Sequence, residues 1–117
     1  MLVRLTYASM ASHGCGHATY LSIVDYSQTA NRDLNIGGII AFDGFQFVQI
    51  LEGDESVVYP LFDRISVDGR NHGVVCFRQQ SPDRRHFKDW SMRMASALDI
   101  LALSARLADK SAAAMGV

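Results

Sequence analysis

The order of periodic segments along this 117-residue chain predicts an α+β fold, the ferredoxin-like βαββαββ sandwich. In this arrangement a mixed sheet carries two helices on one face, and here a further C-terminal helix follows. Two observations support the prediction. Short runs of alternating or β-branched apolar residues indicate strands, and two stretches with apolar residues at helical spacing separate those runs. An Asp-Gly dipeptide between two of the runs indicates a hairpin.

The first half of the chain predicts a strand, a helix and a hairpin, in that order. Residues 2–8 alternate between two faces, as a half-buried strand does. A Gly-rich loop follows, and helical periodicity then predicts an amphipathic helix from residue 17 to about residue 31. Strands are expected at 36–42 and 45–52, and Asp43-Gly44 between them is typical of a type I′ turn.

The second half predicts a helix, two short strands and a last helix. Apolar periodicity over residues 57–65 indicates a helix that stops before Asp68-Gly69. Strands are expected at 73–78 and 90–95, and the Ala- and Leu-rich segment from Ala97 onward predicts a helix. One apolar face of this helix suits packing on the open sheet or on another copy of the chain. It consists of Leu98, Leu101, Ala102, Ala105 and Ala108.

Composition and charge exclude several classes of function. With 49% hydrophobic and 20% charged residues, the chain has the composition of one compact soluble domain. The formal net charge of −1 gives no basic field that would favour nucleic acid or an anionic membrane. Two cysteines are too few for a disulfide scaffold, which indicates a reducing, cytoplasmic compartment. We find neither a signal peptide nor a membrane-spanning stretch in the sequence.

Gln49 is the one polar side chain on a strand face that also carries Phe45, Phe47 and Leu51. A buried amide has two donors and two acceptor lone pairs, so it needs a polar partner on that side of the sheet. Tyr7 on the first strand can be that partner, because a ferredoxin-like sheet places these two strands side by side. Two interpretations stay open: a hydrogen bond that merely satisfies the core, or a ligand with its own polar edge.

Polar residues at the ends of the two predicted helices favour a ligand. Asn31 ends the first helix, where its amide either points into the same crevice or simply caps the helix. The end of the second helix predicts an apolar wall and a cationic, amide-rich mouth that suits phosphate or ribose; the alternative is a solvated helix terminus. The residues concerned are Arg64, Ile65, Asp68, Arg70, Asn71 and His72.

Several short segments form a pattern that is specific when they are taken together. They are Tyr7, Ser27-Gln28-Thr29-Ala30-Asn31, Phe47-Val48-Gln49-Ile50-Leu51-Glu52-Gly53, Asp68-Gly69-Arg70-Asn71-His72 and Arg84-Arg85-His86-Phe87-Lys88-Asp89-Trp90-Ser91-Met92. In order and spacing, from residue 2 to about residue 94, this pattern resembles the BLUF domain, a flavin-based blue-light sensor. The resemblance implies a flavin-binding domain over residues 1–95 and a C-terminal helical extension over 96–117.

The resemblance implies roles for residues on the strands and the first helix around a non-covalently bound FAD, with FMN or riboflavin also possible. Ile23 and Ile65 would lie against the two faces of the flavin ring, and Phe47 at its edge. Asn31 would hydrogen-bond the pyrimidine edge of the ring, and Ser27, four residues before it, is expected in the same site.

The resemblance also implies roles at the end of the second helix. Arg64 and Asp68 would lie near the pyrimidine edge, and Arg70 and Asn71 match the region that meets the ribityl and phosphate tail. Several relatives carry His in place of Asn71, and many carry Ile-Thr-Gly where this chain has Ile36-Gly37-Gly38.

The resemblance further implies a mechanism. Blue light would drive electron and then proton transfer from Tyr7 through Gln49 to the flavin, and the rearranged Gln49 would bond the flavin carbonyl more strongly and shift the absorption to the red. The expected signalling element is the fifth strand, where Trp90 and Met92 would share a face with Met94. No substrate is turned over in such a domain, so an enzyme is not expected.

One other class of function stays open on the same residues. A cofactor-free ferredoxin-like regulatory or interaction module is the alternative, whereas an acylphosphatase-like enzyme would need an anion-binding loop that residues 8–12 do not supply. The expected partners are the flavin, another copy of the chain, and a separate downstream protein or an output domain absent from this chain. Nucleic acid and membrane are not expected partners. His13, Cys15 and His17 fit no zinc spacing, so no metal is expected.

Overall fold

A five-stranded mixed sheet and three helices form the part of the chain that the computed structural model describes, residues 1–89 and 91–114, with side chains up to residue 108. The strands are β1 (Leu2–Ala11), β2 (Gly37–Phe42), β3 (Gln46–Asp54), β4 (Asn71–Gln80) and β5 (Arg93–Met94). The helices are α1 (His17–Asp33), α2 (Glu55–Ser66) and α3 (Ala97–Ala114). This confirms the predicted α+β ferredoxin-like sandwich.

The strand order in the sheet is β4-β1-β3-β2-β5. Every neighbouring pair is antiparallel except β2 and β5, which run parallel and make the sheet mixed. As predicted, β1 lies beside β3, and Tyr7 is the direct partner of Gln49 across the two strands. Because successive side chains of a strand point to opposite faces, both residues face the same side of the sheet.

Two hydrophobic cores lie on opposite faces of this sheet. Helices α1 and α2 cover one face, and the buried side chains there include Val3, Leu5, Tyr20, Val24, Leu51 and Val58. Helix α3 covers part of the other face, where the buried side chains include Ile39, Val48, Ile50, Phe87, Ile100 and Leu107. The alternation along β3 therefore supplies both cores from one strand.

The face of α3 that packs on the sheet is not the one that the sequence singled out. Ile100, Ser104 and Leu107 are buried against the sheet, whereas Leu98 is 75% exposed and Leu101 is 43% exposed. The Ile and Leu side chains on the packed face remove more apolar surface from water than the alanines of the predicted face do, so they decide the orientation of the helix. Among the other residues of the predicted face, Ala102 and Ala105 are exposed and Ala108 is half-buried.

The hairpin between β2 and β3 is not the predicted type I′ turn. Type I′ needs a positive φ at both central residues, but of Asp43 and Gly44 only Gly44 has one, at 96°. The carboxylate of Asp43 instead accepts hydrogen bonds from the backbone amides of Phe45 (2.9 Å) and Gln46 (2.7 Å). Phe45 consequently lies in the turn and is 73% exposed, and β3 begins one residue later than predicted.

The fifth strand is shorter than predicted and comprises Arg93 and Met94 alone. Met92 precedes it and is 1% exposed, whereas Met94 is 56% exposed, so the prediction that the two share a strand face was wrong. Trp90, the other residue of the predicted signalling element, lies outside the described residues. The backbone before β5 is bonded to side chains of α1 rather than to β2, which explains why the strand starts late.

Both cavity-side helices have recognisable ends. Asp54 is the N-cap of α2, because its carboxylate accepts the backbone amide of Ser56 at 2.9 Å. Helix α1 continues past Asn31 to a C-cap at Leu34, and Asn35 then takes a left-handed conformation with φ 55°. Asn31 is therefore not the helix cap that the sequence left open.

Glu52 holds the segment that leads from β4 toward β5. Its carboxylate, 0% exposed, accepts the guanidinium of Arg4 at 2.8 Å and the backbone amides of His86 (3.0 Å) and Phe87 (2.8 Å). A buried carboxylate needs such partners to offset its desolvation. Since Glu52 lies on the α3 side of β3, this cluster fixes Phe87 in the second core.

Gly37 packs directly against this segment. A Cβ atom built at Gly37 would lie 2.1 Å from the carbonyl oxygen of Phe87, and one at Gly38 would lie 2.3 Å from that of Ile50. The Gly-Gly pair, in place of the Ile-Thr-Gly pattern, thus accompanies a close approach of backbone to backbone. No helix in the described part of the chain has the length and apolar character to cross a bilayer.

Candidate functional site

A cavity of about 560 Å³ lies between α1, α2 and the sheet, within the size range of small-molecule sites. Its lining includes all eleven residues that the resemblance assigned to a cofactor. They are Tyr7, Ile23, Ser27, Asn31, Phe47, Gln49, Arg64, Ile65, Asp68, Arg70 and Asn71. The sequence thus brought together residues from five elements and one turn that the fold places around one space.

The buried floor of the cavity carries Tyr7 and Gln49, which are 1% and 6% exposed. The Tyr7 hydroxyl donates a hydrogen bond to Gln49 Oε1, and Gln49 Nε2 donates to the sulfur of Met92 at 3.4 Å. Burial raises the pKa of Tyr7 well above its ordinary value, with Cys76 as a smaller cause. The phenol therefore stays protonated, with its proton directed at an amide oxygen, and the predicted Tyr–Gln bond is confirmed.

Helix α1 binds the segment before β5 through two amide side chains. Asn31 Nδ2 donates to the carbonyl of Ser91 at 3.1 Å, and Gln28 Nε2 donates to that of Met92 at 3.3 Å. The sequence named Gln28 as part of the pattern without giving it a function. These bonds connect the cavity wall to the residues that precede β5.

Apolar side chains form the walls of the cavity. Ile23 comes from α1 and Ile65 from α2, while Phe47 rises from β3 and is 5% exposed. The rings of Phe62 on α2 and Tyr7 form an edge-to-face pair, with centroids 5.1 Å apart. Such walls suit a flat, largely apolar group inserted between the two helices.

Ionic and amide groups at the end of α2 form the exposed mouth. Arg70 makes two side-chain bonds to the carboxylate of Asp68, at 3.0 and 2.7 Å, and this pairing lowers the pKa of Asp68. The Asn71 amide donates to the carbonyls of Ile65 (3.0 Å) and Asp68 (2.9 Å), so it closes the end of the helix. Arg64 lines the same mouth and is exposed.

Six lining residues were given no role in the site by the sequence. They are Ser9, Tyr26, Ala30, Leu34, Ile40 and Leu61. The first strand was expected to end at Ala8, but β1 reaches Ala11 and therefore brings Ser9 onto the face of Tyr7. Its hydroxyl oxygen is buried and has no hydrogen-bond partner among the described residues. Continued alternation past Ala8 was the signal for this residue.

The residues present fit a flavin. Its tricyclic ring is flat and apolar on both faces and polar along one edge, which matches isoleucine walls above a floor of phenol and amide groups. The orphaned hydroxyl of Ser9 is a further polar group that a ligand edge would satisfy. In the described residues no group of three or more His, Cys, Asp or Glu side chains is placed to hold a metal.

Comparison with known proteins gives consistent matches. A family model described as BLUF, sensors of blue-light using FAD, matches residues 2–93. The photoactivated adenylate cyclase subunit alpha of Euglena gracilis is 33% identical over 84 residues, which cover 72% of this chain and 8% of that protein. This chain thus spans a small part of that relative's length.

Two solved structures extend the likeness to the fold. The dark-state structure of BlrB, a BLUF protein, is 37% identical with a TM-score of 0.77, and the match covers 91% of this chain and 80% of that one. A bacterial light-regulated adenylyl cyclase is 27% identical with a TM-score of 0.77 over 98% of this chain and 35% of its own. Together with the match over residues 2–93, these findings show that the chain belongs to the BLUF family of flavin-based blue-light sensors.

Proposed function

We propose that this chain senses blue light by rearranging the hydrogen bond between Tyr7 and Gln49 beside a non-covalently bound flavin. The observation that carries the proposal is that bond itself, buried at the floor of the cavity. Tyrosine is oxidisable and its proton can leave with the electron, while an amide both donates and accepts. The two side chains are therefore suited to carry a reversible proton shift.

The chemistry can be written for the chain's own atoms. When bound and excited, the flavin supplies a one-electron oxidant and a proton acceptor. Tyr7 gives up an electron, and the proton on its hydroxyl passes to Gln49 Oε1, which it already contacts. When electron and proton return to Tyr7, nothing has been oxidised overall, but the Gln49 amide rests in another orientation or tautomer.

The nature of the lining supports non-covalent binding. No cysteine is among the residues that the structure places around the cavity, so no thiol is positioned to form an adduct with the ring. We infer FAD as the cofactor, because the family model that matches residues 2–93 is described as using FAD. The polar mouth formed by Arg70 and Asn71 suits the ribityl and phosphate tail of such a cofactor. Extraction of the flavin from purified protein and its chromatographic identification test this choice against FMN and riboflavin.

The central experiment is an absorption spectrum before and after blue light. The flavin-loaded protein should be yellow, shift its absorption to the red on illumination, and relax in darkness. Tyr7→Phe should bind flavin and lose the shift, because it removes the hydroxyl without removing the ring. Tyr26→Phe is the matched control, since Tyr26 also lines the cavity but is 75% exposed. A full shift in Tyr7→Phe would refute the mechanism.

We infer that the segment before β5 transmits the signal, and that its signalling residues are Trp90 and Met92. Gln49 bonds the sulfur of Met92, and α1 bonds the adjoining carbonyls, so a turned Gln49 amide changes contacts in this segment first. Trp90 is included in this proposal because of the family resemblance alone. Residues 1–95 act as the sensor and 96–117 as its helical extension in this account.

BLUF domains are sensor modules, and we propose that this chain has no enzyme activity of its own. Its relatives include adenylate cyclases of much greater length, which supports an output carried by a further domain or by a separate protein. Its free thiols, Cys15 and Cys76, agree with a cytoplasmic location.

We further propose that the chain forms homo-oligomers through the exposed face of α3. Leu98 and Leu101 lie there with Ala102 and Ala105, outside the core that α3 forms with the sheet. Light scattering at working concentration should give a mass above that of one chain, and Leu98→Glu should reduce it to one chain. A monomeric mass for the unaltered protein would refute this proposal.

A further inference from the structure

Ser9 is a buried polar residue that takes no part in the proton shift between Tyr7 and Gln49. It is 3% exposed, and its hydroxyl oxygen is buried without a hydrogen-bond partner among the described residues. Folding removes this hydroxyl from water and returns no bond for it, which is unfavourable unless another molecule supplies one. Such a group in a native structure calls for a partner.

The position of Ser9 shows where that partner would be. Ser9 follows Tyr7 by two residues on β1, so both side chains point to the same face, and Phe47 is its direct neighbour on β3. All three residues line the cavity. The unpaired hydroxyl is therefore at the floor of the flavin site, one step along the strand from the photochemical pair.

The burial of Ser9 indicates which part of a flavin its hydroxyl would contact. In the proposed site the ribityl and phosphate tail lies at the mouth, where Arg70 is exposed and Asn71 closes the end of α2. Ser9 is instead buried at the floor of the cavity, paired with Phe47 across the sheet and two residues from Tyr7. We propose that the Ser9 hydroxyl hydrogen-bonds a polar atom on the edge of the flavin ring and thereby positions the ring against Gln49. This proposal rests on the flavin site proposed above.

The test compares two flavins in Ser9→Ala. Riboflavin carries the ring and the ribityl chain, whereas lumiflavin carries the ring with a methyl group in place of that chain. Protein loaded with either flavin by exchange is diluted in darkness, and the equilibrium fluorescence of released flavin gives the Kd. Ser9→Ala should raise Kd for both flavins about three- to tenfold, the range expected for one uncharged hydrogen bond. Ser9→Thr, which keeps the hydroxyl, should restore most of the affinity.

A second readout excludes a merely structural role. Removing an unsatisfied hydroxyl should leave the thermal midpoint of the flavin-free protein unchanged or higher, while the increase on adding flavin becomes smaller. A vibrational spectrum of the bound ring should also change at the atom that loses the bond. Ser22→Ala, at an exposed position on α1, is the matched control and should change none of these values.

Each contrary result has one meaning. Unchanged Kd values for both flavins would show that Ser9 does not contact the ligand, and weakening of riboflavin alone would place the contact on the ribityl chain; either overturns the proposal. If the light-induced shift persists in Ser9→Ala with unchanged affinity, the Tyr7–Gln49 mechanism stands and the Ser9 inference falls. If instead the unaltered protein shows no light-induced shift but Ser9→Ala weakens the binding of both flavins, the Ser9 inference stands and the Tyr7–Gln49 mechanism falls.

Discussion

The hydroxyl oxygens of Thr6 and Ser104 lie 2.9 Å apart in a buried hydrogen bond between β1 and α3. Thr6 precedes Tyr7, and the two side chains point to opposite faces of the sheet. A single peptide unit therefore separates the photochemical tyrosine from a polar contact with the C-terminal helix. The bond gives α3 a fixed position on the sheet that apolar packing alone would not define.

Removing Ser104 Oγ should destabilise the protein more than its small volume suggests. In Ser104→Ala the buried Thr6 hydroxyl loses its partner, and the expected loss in the free energy of unfolding is about 1–3 kcal/mol. Thr6→Val combined with Ser104→Ala should be more stable than the sum of the single variants predicts, since no unpaired group remains. Chemical denaturation of the flavin-loaded protein in darkness measures this double-mutant cycle. Simple additivity would show that the two hydroxyls are not coupled.

The raised pKa of Tyr7 gives the stability a defined dependence on alkaline pH. The folded state holds the Tyr7 proton more tightly than the unfolded state does. The contribution of this proton to the free energy of unfolding is therefore complete below about pH 10, and it falls as the pH rises above that value. In the folded protein, Tyr7→Phe should leave the near-ultraviolet phenolate band in alkali unchanged. A band that decreases in Tyr7→Phe while the fold persists would contradict this prediction.

Glu52→Gln should be strongly destabilising because it leaves Arg4 charged and buried without its carboxylate. Arg4 is 4% exposed and Glu52 is 0% exposed, and breaking a buried pair from one side costs about 3–5 kcal/mol. The amides of His86 and Phe87 lose a charged acceptor at the same time. Asp83→Asn, at an exposed position just before this segment, is the matched control. Equal midpoints of denaturation for the two variants would contradict the assigned role of Glu52.

Gly37→Ala should displace the segment around Phe87. The new Cβ would lie 2.1 Å from a backbone oxygen, so the backbone itself has to move. We expect a lower thermal midpoint and faster hydrogen exchange at the amide of Phe87, which bonds Glu52 in the unaltered protein. Gly69→Ala adds the same methyl group where nothing lies within 4 Å and should leave that amide protected. Full protection in Gly37→Ala would show that the strand tolerates the methyl group.

The pairing at the centre of the site could be predicted from local alternation. Strand periodicity placed Gln49 beside Phe47 and Leu51 on an apolar face, and the fold class then placed Tyr7 opposite, where the structure has it. Ser9 was missed because its place on that face depends on where β1 ends, and the ends of elements are the least defined feature of a sequence. The sequence named eleven of the other residues that line the cavity.

Features that depend on distant partners could not be predicted in this way. Phe87 follows a polar segment, and its complete burial depends on a carboxylate 35 residues away in sequence. The hairpin conformation depends on the Asp43 side chain, which accepts two backbone amides in place of the expected turn geometry. The late start of β5 likewise reflects amide groups on α1, those of Gln28 and Asn31.

Because the side chains of successive strand residues point to opposite faces of the sheet, the residues of β1 form two interleaved sets. Its odd-numbered residues from Val3 to Ser9 belong to the light-absorbing side, and its even-numbered residues from Arg4 to Ala8 belong to the side of α3. Substitutions in one set leave the other chemically intact. The contacts between β1 and α3 can therefore differ from one such sensor to another while the residues that carry the photochemistry stay the same.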